Sequence, residues 1–214
     1  MLLSVLIPTL ASRFETFPPL YRRLMAQQEQ LGDIGRQVEL LGLLDARQRS
    51  IGRKRNDLKM MAEGDYIVYV DDDDAISDDY LSAITSVILE QGPDVIVFQT
   101  SMRVNDQAPL LCYYSMNFTT ACSDPPTHYE RWPNHICPVR KSLAPDFPDS
   151  SWGEDTEYAR RMHPKLASQV IIDAVLYYYH FRDATSESIR YHPNYDQRRA
   201  VPRPRPKPPS RKWY

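Results

Sequence analysis

The sequence predicts an α/β protein with a mostly parallel central sheet flanked by helices. Short apolar, β-branched runs alternate with segments of helical pattern along the first hundred residues. Their spacing is typical of right-handed strand–helix–strand units, which build parallel sheets covered on both faces. With 214 residues, 42% of them hydrophobic, the chain is long enough to bury one core without disulfide or metal support.

The first half of the chain is predicted to contain four strands. The first strand covers residues 2–7 and ends at Pro8, and a helical pattern over 14–31 closes near Gly32. The remaining strands are predicted over 38–44, 66–70 and 94–99, and a second helix over 50–62. In sheets of this class, ligands bind beyond the carboxyl ends of the strands.

Two serines are candidate helix caps in this half. Ser50 precedes the second helix, and Ser77 precedes a third one. A serine oxygen at the N-cap accepts a hydrogen bond from a backbone N–H of the first turn. Asp78 and Asp79 would then lie in the first turn of the third helix, where the helix dipole favours anions.

The second half is less regular. Residues 101–150 are rich in proline, tyrosine and polar side chains, with weak strand signals near 110–118. A helix is predicted over 153–162 and a strand over 170–181. From Arg198 onward the chain holds seven basic residues, five prolines and no acidic residue, a composition that predicts an irregular, extended C-terminal extension rather than a packed element.

Composition restricts the functional classes. A charged content of 25% and a formal net charge of -2 describe a soluble globular protein and do not indicate nucleic-acid binding. The three cysteines have no CxxC spacing, which argues against a disulfide framework or a zinc knuckle. The N-terminal MLLSVLIPTL is too short for a transmembrane segment and lacks a basic flank. We therefore expect a cytoplasmic protein.

Four consecutive aspartates, Asp71 to Asp74, follow the strand predicted over 66–70. Adjacent carboxylates repel one another unless water, a proton or a cation intervenes. On extended backbone, Asp71 and Asp73 would point to one side and Asp72 and Asp74 to the other. Mn²⁺ and Mg²⁺ prefer oxygen ligands and are commonly held by carboxylates together with substrate phosphates. The run predicts a metal-diphosphate site, with a plain acidic turn as the alternative.

Three basic residues, Arg53, Lys54 and Arg55, lie near the start of the helix predicted over 50–62. Cations are unfavourable at this end of a helix, where the dipole is already positive. Their placement therefore favours an anion site for phosphates, in which arginine makes forked contacts and lysine acts as a point charge. The alternative is solvated surface charge.

Three stretches resemble a known family: "LSVLIPTLASR", "SIGRKRNDLKMMAEGDYIVYVDDDD" and "WGEDTEYARRM". They are similar, in order, to the N-terminal strand, the ARN-type helix with its DxD strand, and the ED helix of family 2 glycosyltransferases, which have the GT-A fold. The resemblance covers roughly residues 2–190. It implies transfer of a sugar from a nucleotide diphosphate donor, commonly a UDP-sugar, with Mn²⁺ or Mg²⁺ and inversion at the anomeric carbon. A departure is "DARQRS", where the family usually has DGSxD.

The resemblance also implies site residues. Asp73 would be the most direct metal ligand, with Asp71 close by, and Asp71 and Asp72 would approach ribose or metal. His180 or Arg182 would contact the metal or the diphosphate. The other residues expected at the nucleotide-sugar are Pro8, Thr9, Arg13, Asp45, Arg55 and Asn56, with Arg53 and Lys54 near the phosphates.

The "ED" pair supplies the predicted catalytic residues. An acceptor hydroxyl needs a base to take its proton, and we expect Asp155 in this role, with Glu154 as the second choice or an acceptor ligand. Alternatively, Ser151 and Glu154 form a capping box at the helix start. Aromatic faces stack on sugar rings, so Trp132, His135 and Trp152 are candidate acceptor-binding residues, with ordinary core packing as the alternative.

The predicted organisation is a single domain with a tail. Residues 1–100 form the donor-binding half, residues 101–190 the acceptor-side and catalytic half, and 191–214 the basic tail. Expected partners are a UDP-sugar and a saccharide or other hydroxyl-bearing acceptor, with peripheral membrane contact as a further role for the tail. Two alternatives are a nucleotidyltransferase, disfavoured because "PTLASR" lacks glycine, and a non-catalytic binding protein on a GT-A scaffold.

Overall fold

The structure, a computed structural model, describes residues 1–124 and 127–181. The predictions for Arg182 and for the basic tail lie outside the described residues. Within them, no helix combines the length and the apolar character needed to cross a bilayer.

The described residues form α-helices and strands in the alternating order that the sequence predicts for the first half. The elements are β1 (Leu3–Leu10), α1 (Phe17–Gln30), β2 (Val38–Asp45), α2 (Ile51–Met61), β3 (Tyr66–Tyr69), β4 (Ala75–Ile76), α3 (Tyr80–Glu90), β5 (Val95–Val104), β6 (Leu110–Tyr114), β7 (Cys122–Ser123), β8 (Tyr129–Arg131), β9 (Val139–Arg140), α4 (Glu154–Met162) and β10 (Gln169–Phe181).

The strands form one sheet in the order β2-β1-β3-β9-β5-β6-β8-β7, and β10 pairs with β5 and β4. The long pairings, β1 with β2, β1 with β3 and β5 with β10, are all parallel. The short strand β9 is antiparallel to both β3 and β5 and joins the two parallel parts. The predicted mixed α/β architecture with a mostly parallel sheet is therefore confirmed.

The chain reverses its direction of travel across the sheet at β1. It moves outward from β1 to β2 and then returns past β1 to β3, so right-handed crossovers place α1 and α2 on opposite faces. On one face α1 packs with α3, and on the other α2 packs against β1 and contacts α4. Such a reversal point opens a crevice beyond the carboxyl ends of the strands, here those of β1 and β3.

Helix α1 begins three residues later than its pattern predicts. Pro18 and Pro19 lie in its first turn, where the missing N–H groups cost no intrahelical hydrogen bond. Gly32 follows the helix with a φ of 58°, a left-handed conformation that glycine adopts without strain.

The capping prediction for Ser77 is wrong. Ser77 donates its backbone N–H to the carbonyl of Leu176, which holds it beside the sheet, and α3 begins only at Tyr80. The first-turn N–H of Leu81 is instead accepted by the side chain of Gln27 from α1. Asp78 lies outside the helix and pairs with Arg23 at 2.8 Å.

The capping-box alternative for Ser151 and Glu154 is also wrong. The N-cap of α4 is Gly153, with a φ of 71° and no side-chain cap hydrogen bond. Ser151 Oγ accepts from the backbone N–H of Ile51 at 3.3 Å. Ser50, by contrast, caps α2 as predicted and accepts from the N–H of Arg53 at 3.0 Å.

Candidate active site

The four aspartates, called here the acid turn (Asp71–Asp74), occupy a turn between β3 and β4. The N–H of Asp74 donates to the carbonyl of Asp71 at 3.2 Å, so the alternation expected for extended backbone is wrong. The chain turns here to enter β4, and aspartate is a favoured residue in such turns. The turn directs the four carboxylates towards different neighbours.

The first two carboxylates of the acid turn have strong partners. Asp71 accepts from Arg55 Nη2 at 2.9 Å, and its other oxygen lies 3.4 Å from His135 Nε2. Burial alone would raise the pKa of Asp71, but Arg55 and His135 outweigh it and hold that pKa well below the ordinary value. Asp72 is 2% exposed and accepts from Thr9 Oγ1 at 2.6 Å and Arg13 Nη1 at 2.5 Å.

Asp73 differs from Asp71 and Asp72 in its exposure to solvent and in its balance of charge. Its carboxylate is 38% exposed and lies 3.0 Å from Arg13 Nη1. Burial, reinforced by the charges of Asp71 and Asp72, raises the pKa of Asp73 to about 6. Its ionised form is therefore less well compensated than that of an ordinary surface aspartate, and a cation beside it would be favourable.

Asp74 completes the turn and is held by β10. One oxygen accepts from the hydroxyl of Tyr177 at 2.8 Å and the other from the backbone N–H of His180 at 3.1 Å. Burial, followed by the charges of Asp71 and Asp73, raises the pKa of Asp74 well above its ordinary value. The same Tyr177 oxygen accepts from the N–H of Asp71 at 3.1 Å. The Tyr177 hydroxyl therefore makes hydrogen bonds with both the first and the last residue of the acid turn.

The three basic residues of α2 do not form a joint patch. Lys54 Nζ lies 2.6 Å from Asp45 Oδ1 and donates to the carbonyl of Thr9, and its side chain is 2% exposed. Arg53 is 59% exposed and pairs with Asp57 at 3.1 Å. The buried ammonium of Lys54 is thus already engaged between β1 and β2, and its predicted phosphate contact is not favoured by this geometry.

Arg55 connects two parts of the site. Its Nη2 contacts Asp71, and its Nη1 donates to Glu154 Oε1 at 2.8 Å, with the arginine side chain only 4% exposed. The neighbouring Asn56 exchanges two hydrogen bonds with the backbone of Phe147, at 2.9 and 2.8 Å. Both residues therefore contact protein groups here, and their nucleotide contacts remain predictions.

Asp155 lies in the first turn of α4, directly after Glu154, which Arg55 joins to the acid turn. It is half-buried, and its Oδ1 accepts from the N–H of Thr156 at 2.7 Å. Burial raises the pKa of the Tyr179 hydroxyl, and the charges of Asp74, Asp71, Asp73 and Asp155 raise it further.

The remaining predicted site residues make a variety of contacts. Pro8 is buried in β1, and the backbone of His180 holds Asp74. Trp132 stacks on His163 at a centroid distance of 3.8 Å and donates Nε1 to the carbonyl of Phe118. Trp152 is 45% exposed beside the start of α4. Sugar contact by these aromatic residues remains a prediction.

His135, a predicted acceptor residue, contacts the acid turn through Asp71. It is 7% exposed, and its Nδ1 is buried without a hydrogen-bond partner among the described residues. Because Nε2 faces Asp71, the buried imidazole of His135 packs against the acid turn.

Sequence reasoning missed Tyr177 and Tyr179. Both lie in β10, in a run that predicts a strand but not a site. The available signal was their spacing, because residues two apart on a strand share a face. Only the pairing of Tyr177 with Ile76, in the register of β10 and β4, shows that this face meets the acid turn.

A divalent cation would fit this site only if a substrate supplied some of its ligands. In residues 1–124 and 127–181, no three or more His, Cys, Asp or Glu side chains are grouped to hold a metal ion. Asp73 nevertheless offers a hard oxygen ligand whose ionised form is poorly compensated. This donor set fits Mn²⁺ or Mg²⁺ that takes its other ligands from phosphate and water.

No family model matches the chain, and no curated protein matches it. Solved structures of TarS from S. aureus do match. TarS 1-349 in complex with UDP-GlcNAc has a TM-score of 0.61 at 18% identity, covering 90% of this chain and 61% of that one. TarS 1-349 in complex with UDP has a TM-score of 0.58 at 18% identity, covering 84% and 60%. A longer TarS structure has a TM-score of 0.59, also at 18% identity, covering 84% and 37%.

The chain thus spans about three fifths or less of the TarS chains that it matches. At 18% identity the likeness concerns the fold. Together with the sheet order and the helices on both faces, it confirms that this chain has the GT-A fold.

Proposed function

We propose that this chain is a glycosyltransferase that moves a sugar from a UDP-sugar to a hydroxyl acceptor, with inversion and with Mn²⁺ or Mg²⁺. The observation that carries the proposal is the link, at the carboxyl edge of β1 and β3, between the acid turn and the start of α4: Arg55 contacts both Asp71 and Glu154, the residue before Asp155. This is the edge at which open α/β sheets bind ligands. Support comes from the fold, which is that of TarS in complexes with UDP and UDP-GlcNAc.

The proposed roles follow from the surroundings of each residue. Asp73 would hold the cation together with the donor diphosphate, with Asp71 as the nearest second carboxylate. A bound cation would neutralise charge on the departing diphosphate. Arg13, which already bridges Asp72 and Asp73, supplies a positive group beside the same phosphates.

Asp155 takes the proton from the acceptor hydroxyl in this proposal. A carboxylate within hydrogen-bond reach raises the nucleophilicity of the hydroxyl as the new bond forms. Asp155 is half-buried and makes no ion pair within residues 1–124 and 127–181, whereas Glu154 is bound to Arg55. This difference favours Asp155 over Glu154 as the base.

Thermal unfolding with added nucleotides tests the proposal. UDP and UDP-sugars with Mn²⁺ are expected to raise the melting temperature, because a ligand that binds only the folded state stabilises it. GDP and ADP are the comparison ligands. Asp73→Asn should remove the Mn²⁺-dependent part of the shift, and Asp78→Asn, at an exposed aspartate outside the turn, should retain it. A protein that no uridine nucleotide stabilises would contradict the proposal.

A further inference from the structure

We propose that Arg55 and Glu154 act as positioning residues, forming a buried ion pair that fixes the start of α4, and with it Asp155, against the acid turn. The ion pair is part of the packing of α2 against α4. The catalytic consequence rests on the function proposed above. In this role Arg55 binds no phosphate and Glu154 takes no proton.

The geometry of Arg55 is that of a bridge. Its two terminal nitrogens reach different carboxylates, Asp71 at 2.9 Å and Glu154 at 2.8 Å, from one buried side chain. Asp71 begins the acid turn and Glu154 begins α4. The guanidinium therefore joins, through two contacts, the segments that carry the predicted metal ligand and the predicted base.

Local sequence does little to fix the start of α4. Its N-cap is Gly153, which has a left-handed φ, offers no side-chain cap, and has open space where a Cβ would lie. Helix ends without side-chain caps leave their first N–H groups to other partners. The position of this end consequently depends on tertiary contacts.

Those tertiary contacts come from α2. Besides the Arg55–Glu154 pair, the N–H of Gly52 donates to the carbonyl of Ser150 at 3.0 Å, and the N–H of Ile51 donates to Ser151 Oγ. These two contacts hold the segment before Gly153, whereas the ion pair holds Glu154, the first residue of α4. The ion pair is thus a polar contact that ties the first turn of α4 itself to α2.

Arginine is required at this position for a geometric reason. A planar guanidinium presents several donors in a fixed fork and can serve two carboxylates, whereas an ammonium is a point charge on a flexible stem. The side chain also lies over Phe147, with its central carbon 5.3 Å from the ring centroid, which restricts its orientation. Lysine would keep the charge at residue 55 but not both contacts.

Arg55→Lys tests the proposal, with Arg23→Lys as the matched control. Arg23 is 45% exposed and pairs with the exposed Asp78, away from α4. Hydrogen exchange measured by mass spectrometry should show several-fold faster exchange in residues 150–158 of Arg55→Lys than in the wild type. Exchange in α3 should be unchanged, and the control should match the wild type throughout.

Glu154→Gln is the second variant, because it keeps the shape of the side chain and leaves the Arg55–Asp71 pair in place. The same local increase in exchange is expected. For both variants, transfer should slow by about 10- to 100-fold in kcat, with the donor Kd within about two-fold, because small misplacements of a catalytic group have effects of this size. A group that contacts the diphosphate would instead weaken donor binding.

Three outcomes would overturn the proposal: unchanged exchange in residues 150–158 of both variants, faster exchange across the whole protein with unchanged kcat, or a raised donor Kd with normal kcat. Failure of the proposed function is separable, because it appears as a wild-type protein that binds no UDP-sugar. The exchange measurement decides the positioning role in that case also. If Arg55→Lys does not fold, the Glu154→Gln measurement decides it.

Discussion

At the scale of single residues, environment divides four identical side chains into different roles. Asp71 is held ionised by Arg55, Asp72 is buried under Thr9 and Arg13, and Asp74 is bound by β10. Asp73 alone in the turn combines substantial exposure with a raised pKa of about 6. The assignment of the metal role to Asp73 therefore depends on what surrounds each carboxylate, not on its chemistry.

Asp155→Asn is expected to retain donor binding and to lose transfer. The amide has nearly the shape of the carboxylate but cannot accept the acceptor's proton, and removing a general base typically costs about 10²- to 10⁴-fold in rate. Donor affinity from thermal shift and turnover from UDP release provide the two measurements. Glu157→Gln, on the exposed side of the same helix, is the control. Near-normal turnover in Asp155→Asn would mean that the base is another residue.

At the scale of elements, α2 is the support for both halves of the site. Ser50 caps it, Lys54 links it to Asp45 and the Thr9 carbonyl, and Asn56 clamps the backbone of Phe147. The basic residues near its first turn, which the sequence suggested for phosphate, are in this structure largely committed to the protein's own carboxylates. Cations are unfavourable near a helix N-terminus, and these residues are explained there because they compensate the charges of acidic groups of the protein.

Gly52→Ala is expected to destabilise the protein. A Cβ at this position would lie 2.0 Å from the carbonyl oxygen of Pro148, so the 148–150 backbone must move away from α2. Overpacking of this kind costs about 1–3 kcal/mol, measurable as a lower urea midpoint. Gly32→Asn is the control, because its Cβ would meet nothing within 4 Å and asparagine tolerates a positive φ. Equal stability of Gly52→Ala and wild type would show that the two segments are not in contact.

At the scale of the whole molecule, the candidate site is gathered from distant parts of the chain. β1 supplies Thr9, α2 supplies Arg55, the turn after β3 supplies the aspartates, α4 supplies Asp155 and β10 supplies the tyrosines. All of them lie within residues 1–181.

Deletion of residues 201–214 should leave donor hydrolysis intact. The deleted segment is basic and proline-rich, a composition that does not pack into a core. UDP release from a UDP-sugar in water, compared between full-length and shortened chains, measures the effect. A shortened protein with an unchanged melting temperature but no UDP release would show that the tail contributes to the site.

Sequence reasoning succeeded where the cause is local. Apolar runs of strand length predicted β2 and β3 closely, and Ser50 was recognised because an N-cap serine bonds to its own helix. The predicted end of the first strand at Pro8 was wrong, because β1 continues through Pro8 to Leu10 in its pairing with β2. Sequence reasoning failed where a partner distant in sequence competes. Ser77 is held by Leu176, and Glu154 is held by Arg55, so neither makes the helix-end contact that its neighbours suggest.

By itself, the sequence determined the alternation of strands and helices, and with it a parallel sheet whose carboxyl edge carries four aspartates. The physical reason is that hydrophobic period and chain handedness act over short distances. Only the tertiary structure decided which aspartate remains available, that Arg55 joins the acid turn to α4, and that Tyr177 and Tyr179 face the site. Those outcomes depend on burial and on ion pairs between residues up to about a hundred positions apart, which no local pattern encodes.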